Sequence, residues 1–150
     1  MDSKEFKKIF GEVAKSNGFE RAFGGWFKDS AESIVVLDLQ KSNFGDYYEM
    51  NVKIYVQGMF GNSYSKSKNL VKRDIGNIFR RQPYEYRSVF DFDEPMNDEE
   101  RNTDLIKLFS DFIVPFTDKA LLKSGIKELA EKGEITLLPA VREELYKDNK

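Results

Sequence analysis

Between Val35 and Gly58 the chain reads VVLDLQKSNFGDYYEMNVKIYVQG: two β-branched-rich runs flank the polar turn at 42–46. The second run alternates apolar and polar residues almost without error. Tyr48, Met50, Val52, Ile54 and Val56 fall on one side of a strand, and Tyr47, Glu49, Asn51, Lys53, Tyr55 and Gln57 on the other. Successive strand side chains point to opposite faces, so a period of two commits this segment to a sheet with one apolar and one polar face. The runs 33–41 and 47–57 are expected to pair as an antiparallel hairpin. The polar face is expected to meet solvent, with helices on the other side only. In the first run Ile34, Val35, Val36 and Leu37 are apolar on both faces, which places that strand centrally; Asp38 and Gln40 share one face.

The flanking segments extend this frame. Asp2 and Glu5 have capping-box spacing, and Phe6, Ile9, Phe10 and Val13 form a helical stripe, so a helix is expected over 3–16 and stops before Gly18. Two short strands are expected at 19–23 and 26–29 around Gly24-Gly25, with Phe19, Arg21 and Phe23 on one face and Trp26 as a core or rim anchor. Residues 58–68 read as a loop. Residues 69–82 fit helix and strand equally until Pro83 ends them. Tyr84 to Phe92 alternates and reads as a strand. Asn97 or Asp98 caps a helix carrying Leu105, Leu108, Phe109, Phe112, Ile113 and Phe116, which Pro115 kinks or ends. A further helix is expected from Thr117 or Asp118, with Leu121, Leu122, Ile126 and Leu129 inward and Gly133 as its stop, and a last one from Thr136 to Tyr146 in which Leu137, Leu138, Val141 and Leu145 are the apolar residues. Neither a repeat nor a linker interrupts the pattern, so the economical reading is one α+β domain. It is an antiparallel meander of four to five strands with N- and C-terminal helices packed on one face.

What the chain lacks narrows its chemistry. It has no Cys, which removes disulfides, thiolate nucleophiles and Cys-bound zinc, and no His, which removes imidazole bases and His-bound metals. An enzyme built from it would rely on carboxylates, Lys, Tyr, Ser or an oxygen-liganded metal. A net charge of −2 gives no global field for nucleic acid. No apolar run reaches membrane-helix length, and the start, MDSKEF, is charged from its second residue, unlike a signal peptide; a cytoplasmic protein is expected.

Several stretches together resemble a known family. They are the N-terminal helix followed by Asn17-Gly18-Phe19, Trp26-Phe27, Val35-Val36-Leu37 running into Leu39-Gln40-Lys41-Ser42, then Tyr47-Tyr48, Asn51 and Ile54-Tyr55. In these the chain is similar to the bacterial domain of unknown function 4304 family, best over 1–57. The resemblance implies a compact α+β domain and no known activity, and carries over no catalytic residue.

Three constellations are candidates for function. Gln40 and Lys41 at a strand end, with Asn51, Lys53 and Tyr55 on the neighbouring polar face, form a possible recognition surface; ordinary solvated strand residues are the competing reading. Residues 66–87 carry seven basic side chains, among them Arg73, Arg80 and Arg81, against two acids, a local +5 interleaved with Phe79, Tyr84 and Tyr86. That mixture suits phosphate contact and base stacking. The next stretch, 91–104, holds seven acids and one Arg, however, and adjacent blocks of opposite sign more often balance each other or a partner. Asp91, Asp93 and Glu94 are the best candidates for a hard cation, without the EF-hand register. Gly24-Gly25 lacks the following Lys-Ser/Thr of a phosphate loop. The favoured reading is a non-catalytic protein-binding module, regulatory or toxin-neutralising in role. A carboxylate- or metal-dependent enzyme is the alternative, and nucleic-acid binding through 66–87 ranks behind it. No motif specifies a cofactor, an oligomeric state or a particular partner.

Overall fold

The computed structural model describes residues 1–147. Five antiparallel strands lie side by side in chain order: β1 (Glu20–Ala22), β2 (Gly25–Asp29), β3 (Ser33–Lys41), β4 (Tyr48–Val56) and β5 (Ile78–Arg81). β3 and β4 pair along their full length, from Ser33 opposite Val56 to Lys41 opposite Tyr48. β3 is the middle strand, as its two-sided apolar run requires.

The terminal helices pack on one face. α1 (Ser3–Ser16) starts at Asp2, whose Oδ1 accepts from the Glu5 amide at 2.8 Å. α3 (Asp98–Leu108) starts at Asn97, whose Oδ1 accepts from Glu100 N at 2.7 Å. Each cap satisfies an amide that the helix leaves free. Phe6, Phe10 and Ala14 of α1 meet Trp26, Leu37, Met50 and Val52 of the sheet and Leu105, Leu108 and Phe109 from the α3 side in one core. Aromatic edges organise it: the Phe10 ring centroid lies 4.9 Å from that of Trp26 and 5.3 Å from that of Phe109. Val52, Ile54 and Val56 share this buried face. Among the described residues no helix is long and apolar enough to cross a membrane.

The other face departs from expectation. Asn51, Lys53 and Tyr55 are buried, not solvated. A five-residue helix, α2 (Lys68–Lys72), lays Leu70 and Val71 over Phe27, Ile34, Val36 and Tyr55 as a second, smaller core. The sheet is therefore covered on both sides. The ambiguous stretch 69–82 is both structures in succession, α2 and then β5, divided by a turn.

Three further expectations change. Residues 84–90 form a 3₁₀-helix, not a strand; only an isolated bridge joins Tyr47 to Asp91. Val89 and Phe90 are both buried. The deciding partner is Arg101, buried on α3, whose Nη1 donates to the carbonyls of Ser88, Val89 and Asp91 at 2.9, 2.7 and 3.1 Å. No helix starts at Thr117 or Asp118. α3 runs through a π-helical turn, Phe109–Ile113, into α4 (Val114–Ala120), so Pro115 stands inside a continuous helical run directly after the π turn and does not end it. Thr117 Oγ1 donates back to Ile113 O at 2.7 Å inside that helix. α5 (Lys123–Glu131) follows, and a Cβ on its Gly125 would lie 2.0 Å from Lys119 O, so only glycine lets α5 approach α4. Leu122, expected inward, falls in the break between α4 and α5 and is about half exposed. α6 (Pro139–Tyr146) begins later than expected, and Leu138, just before it, is exposed. Phe23 leaves the β1 alternation: it sits in the β1–β2 turn at φ +55°, about half exposed.

Candidate functional site

A helix as short as α2 does not stand alone in water. Its last carbonyls have no intrahelical partner, and two β4 side chains supply one. Tyr55 OH donates to Leu70 O at 2.7 Å, and Lys53 Nζ to Val71 O at 2.7 Å. An ammonium at a helix C-terminus also opposes the negative end of the helix dipole. The polar stripe read from the sequence is thus the seat of α2.

Beyond the end of α2 the apolar cover stops, and a cleft of about 370 Å³ opens over β3, β4 and β5. Its floor is one connected network. Arg81 Nε donates to Asn51 Oδ1 at 3.2 Å, and Asn51 Nδ2 donates to Gln40 Oε1 at 3.0 Å and to Asp38 Oδ2 at 3.4 Å. Lys53 Nζ stands 3.8 Å from Asp38 Oδ2. The register brings these groups together: Asp38 faces Asn51 across β3–β4, and Asn51 faces Arg81 across β4–β5. Buried polar groups are tolerated when hydrogen-bonded, and here they are bonded to one another. The rim comes from the segment after α2 and from β5: Lys72, Arg73, Asp74, Ile75 and Phe79. Ile75 is 67% exposed and Phe79 38%.

Burial shapes the charge of this floor. Desolvation lowers the Lys53 ammonium below the ordinary lysine value; Asp38 and Asp74 oppose that shift, and Lys72 adds to it. Desolvation raises the Tyr55 phenol, so it stays a donor. Lys7 of α1 is also lowered, first by desolvation and then by Lys72 and Arg21, with Asp38 opposing.

Of the residues singled out in the sequence, Gln40, Asn51, Lys53, Arg73 and Arg81 meet at the cleft. Tyr55 lies beneath α2. Lys41 sits elsewhere, paired with Asp46 and with its ammonium 5.2 Å above the Tyr48 ring. Arg80 faces the opposite side of the sheet from Arg81: its guanidinium lies 4.5 Å over Phe112, and Nη1 donates to Glu134 O at 3.3 Å. Lys66 pairs with Glu20 at 3.3 Å, and Arg87 stacks on Tyr84. The basic stretch 66–87 is therefore divided between surfaces and makes no continuous patch. Asp91, Asp93 and Glu94 do not converge either. Asp91 Oδ1 accepts from Asp93 N and Asp93 Oδ2 from Asp46 N, both at 3.0 Å, and no cluster of three acids able to hold a metal occurs among the described residues.

Sequence reasoning passed over Asp38 and Ile75 as site residues and met Lys72, Asp74 and Phe79 only as members of the basic block 66–87. Asp38 did give a signal, as an acid inside an otherwise apolar strand. Phe79 gave one as an aromatic within the basic block; Ile75 gave none, because its spacing fits a buried stripe.

No curated protein and no solved structure matches the chain significantly. A family model does: the one described as Domain of unknown function (DUF4304) covers residues 10–119, which span the whole sheet, α2 and the cleft. On that match, over more than half of its length, the chain belongs to the DUF4304 family.

Proposed function

We propose that this protein is a non-catalytic binding module whose cleft receives an acidic segment of a partner protein carrying an apolar side chain. The observation that carries the reading is the pairing of a fixed polar floor with an exposed apolar rim. Asp38, Asn51 and Lys53 are held by one another and by α2, so they are already organised. Ile75 and Phe79 stand out beside them with surface to bury. Apolar anchors ringed by arginine are the usual composition of an interface centre. Lys53, Lys72, Arg73 and Arg81 outnumber Asp38 and Asp74 in the lining, which favours an acidic partner segment. Lys53 is committed to Val71 O and Asp38, which supports a strut rather than a nucleophile. A regulatory or toxin-neutralising role follows if the captured segment is one that the partner needs.

The test is fluorescence polarisation with labelled peptides alternating Glu or Asp with Leu or Phe, against Lys/Leu peptides of equal length. The acidic set is expected to bind, and Arg73→Glu with Arg81→Glu to abolish binding. Equal binding of both sets, or binding indifferent to the double variant, contradicts the reading.

A further inference from the structure

β5 ends the sheet: β4 pairs with one side of it, and no described strand pairs with the other. In an antiparallel strand the backbone groups of successive residues point alternately to one side and the other. Gln82 N donates to Met50 O at 3.1 Å, so Gln82, Arg80 and Ile78 turn their backbone groups toward β4. Phe79 and Arg81 therefore turn theirs outward. Among the described residues, the N–H and C=O of Phe79 and the N–H of Arg81 have no hydrogen-bond partner. The Arg81 carbonyl accepts from Arg80 Nε at 3.2 Å. Both residues are exposed, and both line the cleft. An uncovered edge of this kind is a template for another strand. The opposite edge, β1, is only three residues long.

Charge selects the strand. Arg80 and Arg81 stand side by side on β5, which disfavours pairing with the β5 of a second copy and favours an acidic strand. Arg81 already has Glu49 at 3.9 Å. Arg80 lies over the rings of Phe112 and Phe116. Glu134 and Glu85 act on it only from beyond ion-pair distance.

We infer that the acidic partner segment binds by adding a strand along the open edge of β5, an inference that rests on the partner-binding reading of the cleft. Phe79 exchanges N–H and C=O with one residue of the segment, and the Arg81 N–H donates to the residue two positions away. Those residues turn their side chains to the cleft face, where an apolar one lies against Phe79. The residue between them turns its side chain to the opposite face, where an acid supplies the close counter-charge that Arg80 lacks.

The segment's own amides separate strand addition from docking by side chains alone. The probe is a short labelled peptide alternating Glu and Leu, with two analogues, one N-methylated at every Leu and the other at every Glu. With Leu on the cleft face, the Leu amides point at β5 and the Glu amides point away. In fluorescence polarisation the Leu-methylated analogue is expected to bind about tenfold more weakly or worse, the scale of lost backbone hydrogen bonds, and the Glu-methylated one within about twofold of the parent. In the complex, amide hydrogen exchange at Phe79 and Arg81 is expected to slow by about tenfold or more, while Arg80, which faces β4, stays unchanged. If the parent peptide binds but both analogues lose equally, or neither loses, strand addition is overturned and the cleft reading stands. A parent peptide that does not bind overturns both. Protection of Phe79 and Arg81 that grows with protein concentration in the absence of peptide gives the edge to a second copy and also overturns the inference.

Discussion

The two faces of this sheet are buried by different means. One carries Trp26, Leu37, Met50, Val52, Ile54 and Val56 against helices from both ends of the chain, with interlocking aromatic rings. The other carries Phe27, Ile34, Val36 and Tyr55 under five residues of helix, and then gives way to Asp38, Asn51 and Lys53. The first is stabilised by the area of apolar surface removed from water. The second depends on specific hydrogen bonds that tether α2, and it has an open end. A surface built in the second way can keep charged groups poised beside a cleft, which a fully apolar layer cannot.

The contrast sets an order of mutational effects. Phe10→Ala strikes the larger core and is expected to destabilise by about 3–5 kcal/mol, the range for deleting a buried aromatic ring. Leu70→Ala on α2 is expected to lose about 2–3 kcal/mol, at the low end for buried leucine because so short a helix can settle into the gap. Equal losses in urea denaturation would erase the distinction between the faces. Asp38→Ala comes next, at about 1–3 kcal/mol, because it leaves the Lys53 ammonium buried without its counter-charge.

The pH dependence sharpens the comparison. Lys53 holds its proton less tightly when folded, so between its folded value and the ordinary lysine value of about 10.4 the unfolded chain binds more protons. Its contribution to stability therefore rises with pH through that window, and the penalty is complete below it. Tyr55 acts oppositely: above about 10 the unfolded chain loses the phenol proton first, and stability falls. Stability from urea melts at pH 7 and about 10.4 is expected to differ in slope against pH between the wild type and Lys53→Met, with the rise reduced in the variant. Parallel slopes would mean that Lys53 is solvated. The smallest effect is expected at the rim, where Ile75→Ser with Arg73→Ser changes stability by no more than about 0.5 kcal/mol each while weakening acidic-peptide binding.

Much of this molecule is legible in its sequence. The caps at Asp2 and Asn97, the stripe of α1 and the register of the long hairpin follow from local spacing. Alternation in β4 identifies the two sets of residues correctly, but polarity is not exposure. Lys53 and Tyr55 look solvated because their partners, the carbonyls of Leu70 and Val71, belong to a helix too short to show a period. The same limit applies at 84–90, where an alternating pattern gave way to a 3₁₀-helix. Its carbonyls bond to Arg101, a residue that reads as an incidental base in an acidic stretch. Contacts between distant segments decide both cases, and neither segment announces them. At the site, Gln40, Asn51, Lys53, Arg73 and Arg81 were legible as polar or basic residues. The separation of Arg80 from Arg81 follows only once β5 is known to be a strand.

The central claim is that Asn51, Lys53 and Tyr55 on the polar face of β4 are buried, with Lys53 and Tyr55 bonded to the end of α2. A soluble paramagnetic agent tests this most directly, through the relaxation it induces in side-chain protons. Val52 is 1% exposed and Phe44 95%, so they mark the two limits. The Tyr55 ring and the Lys53 methylenes are expected to relax nearly as slowly as Val52. Relaxation of both as fast as that of Phe44 would show a solvated face and contradict the account.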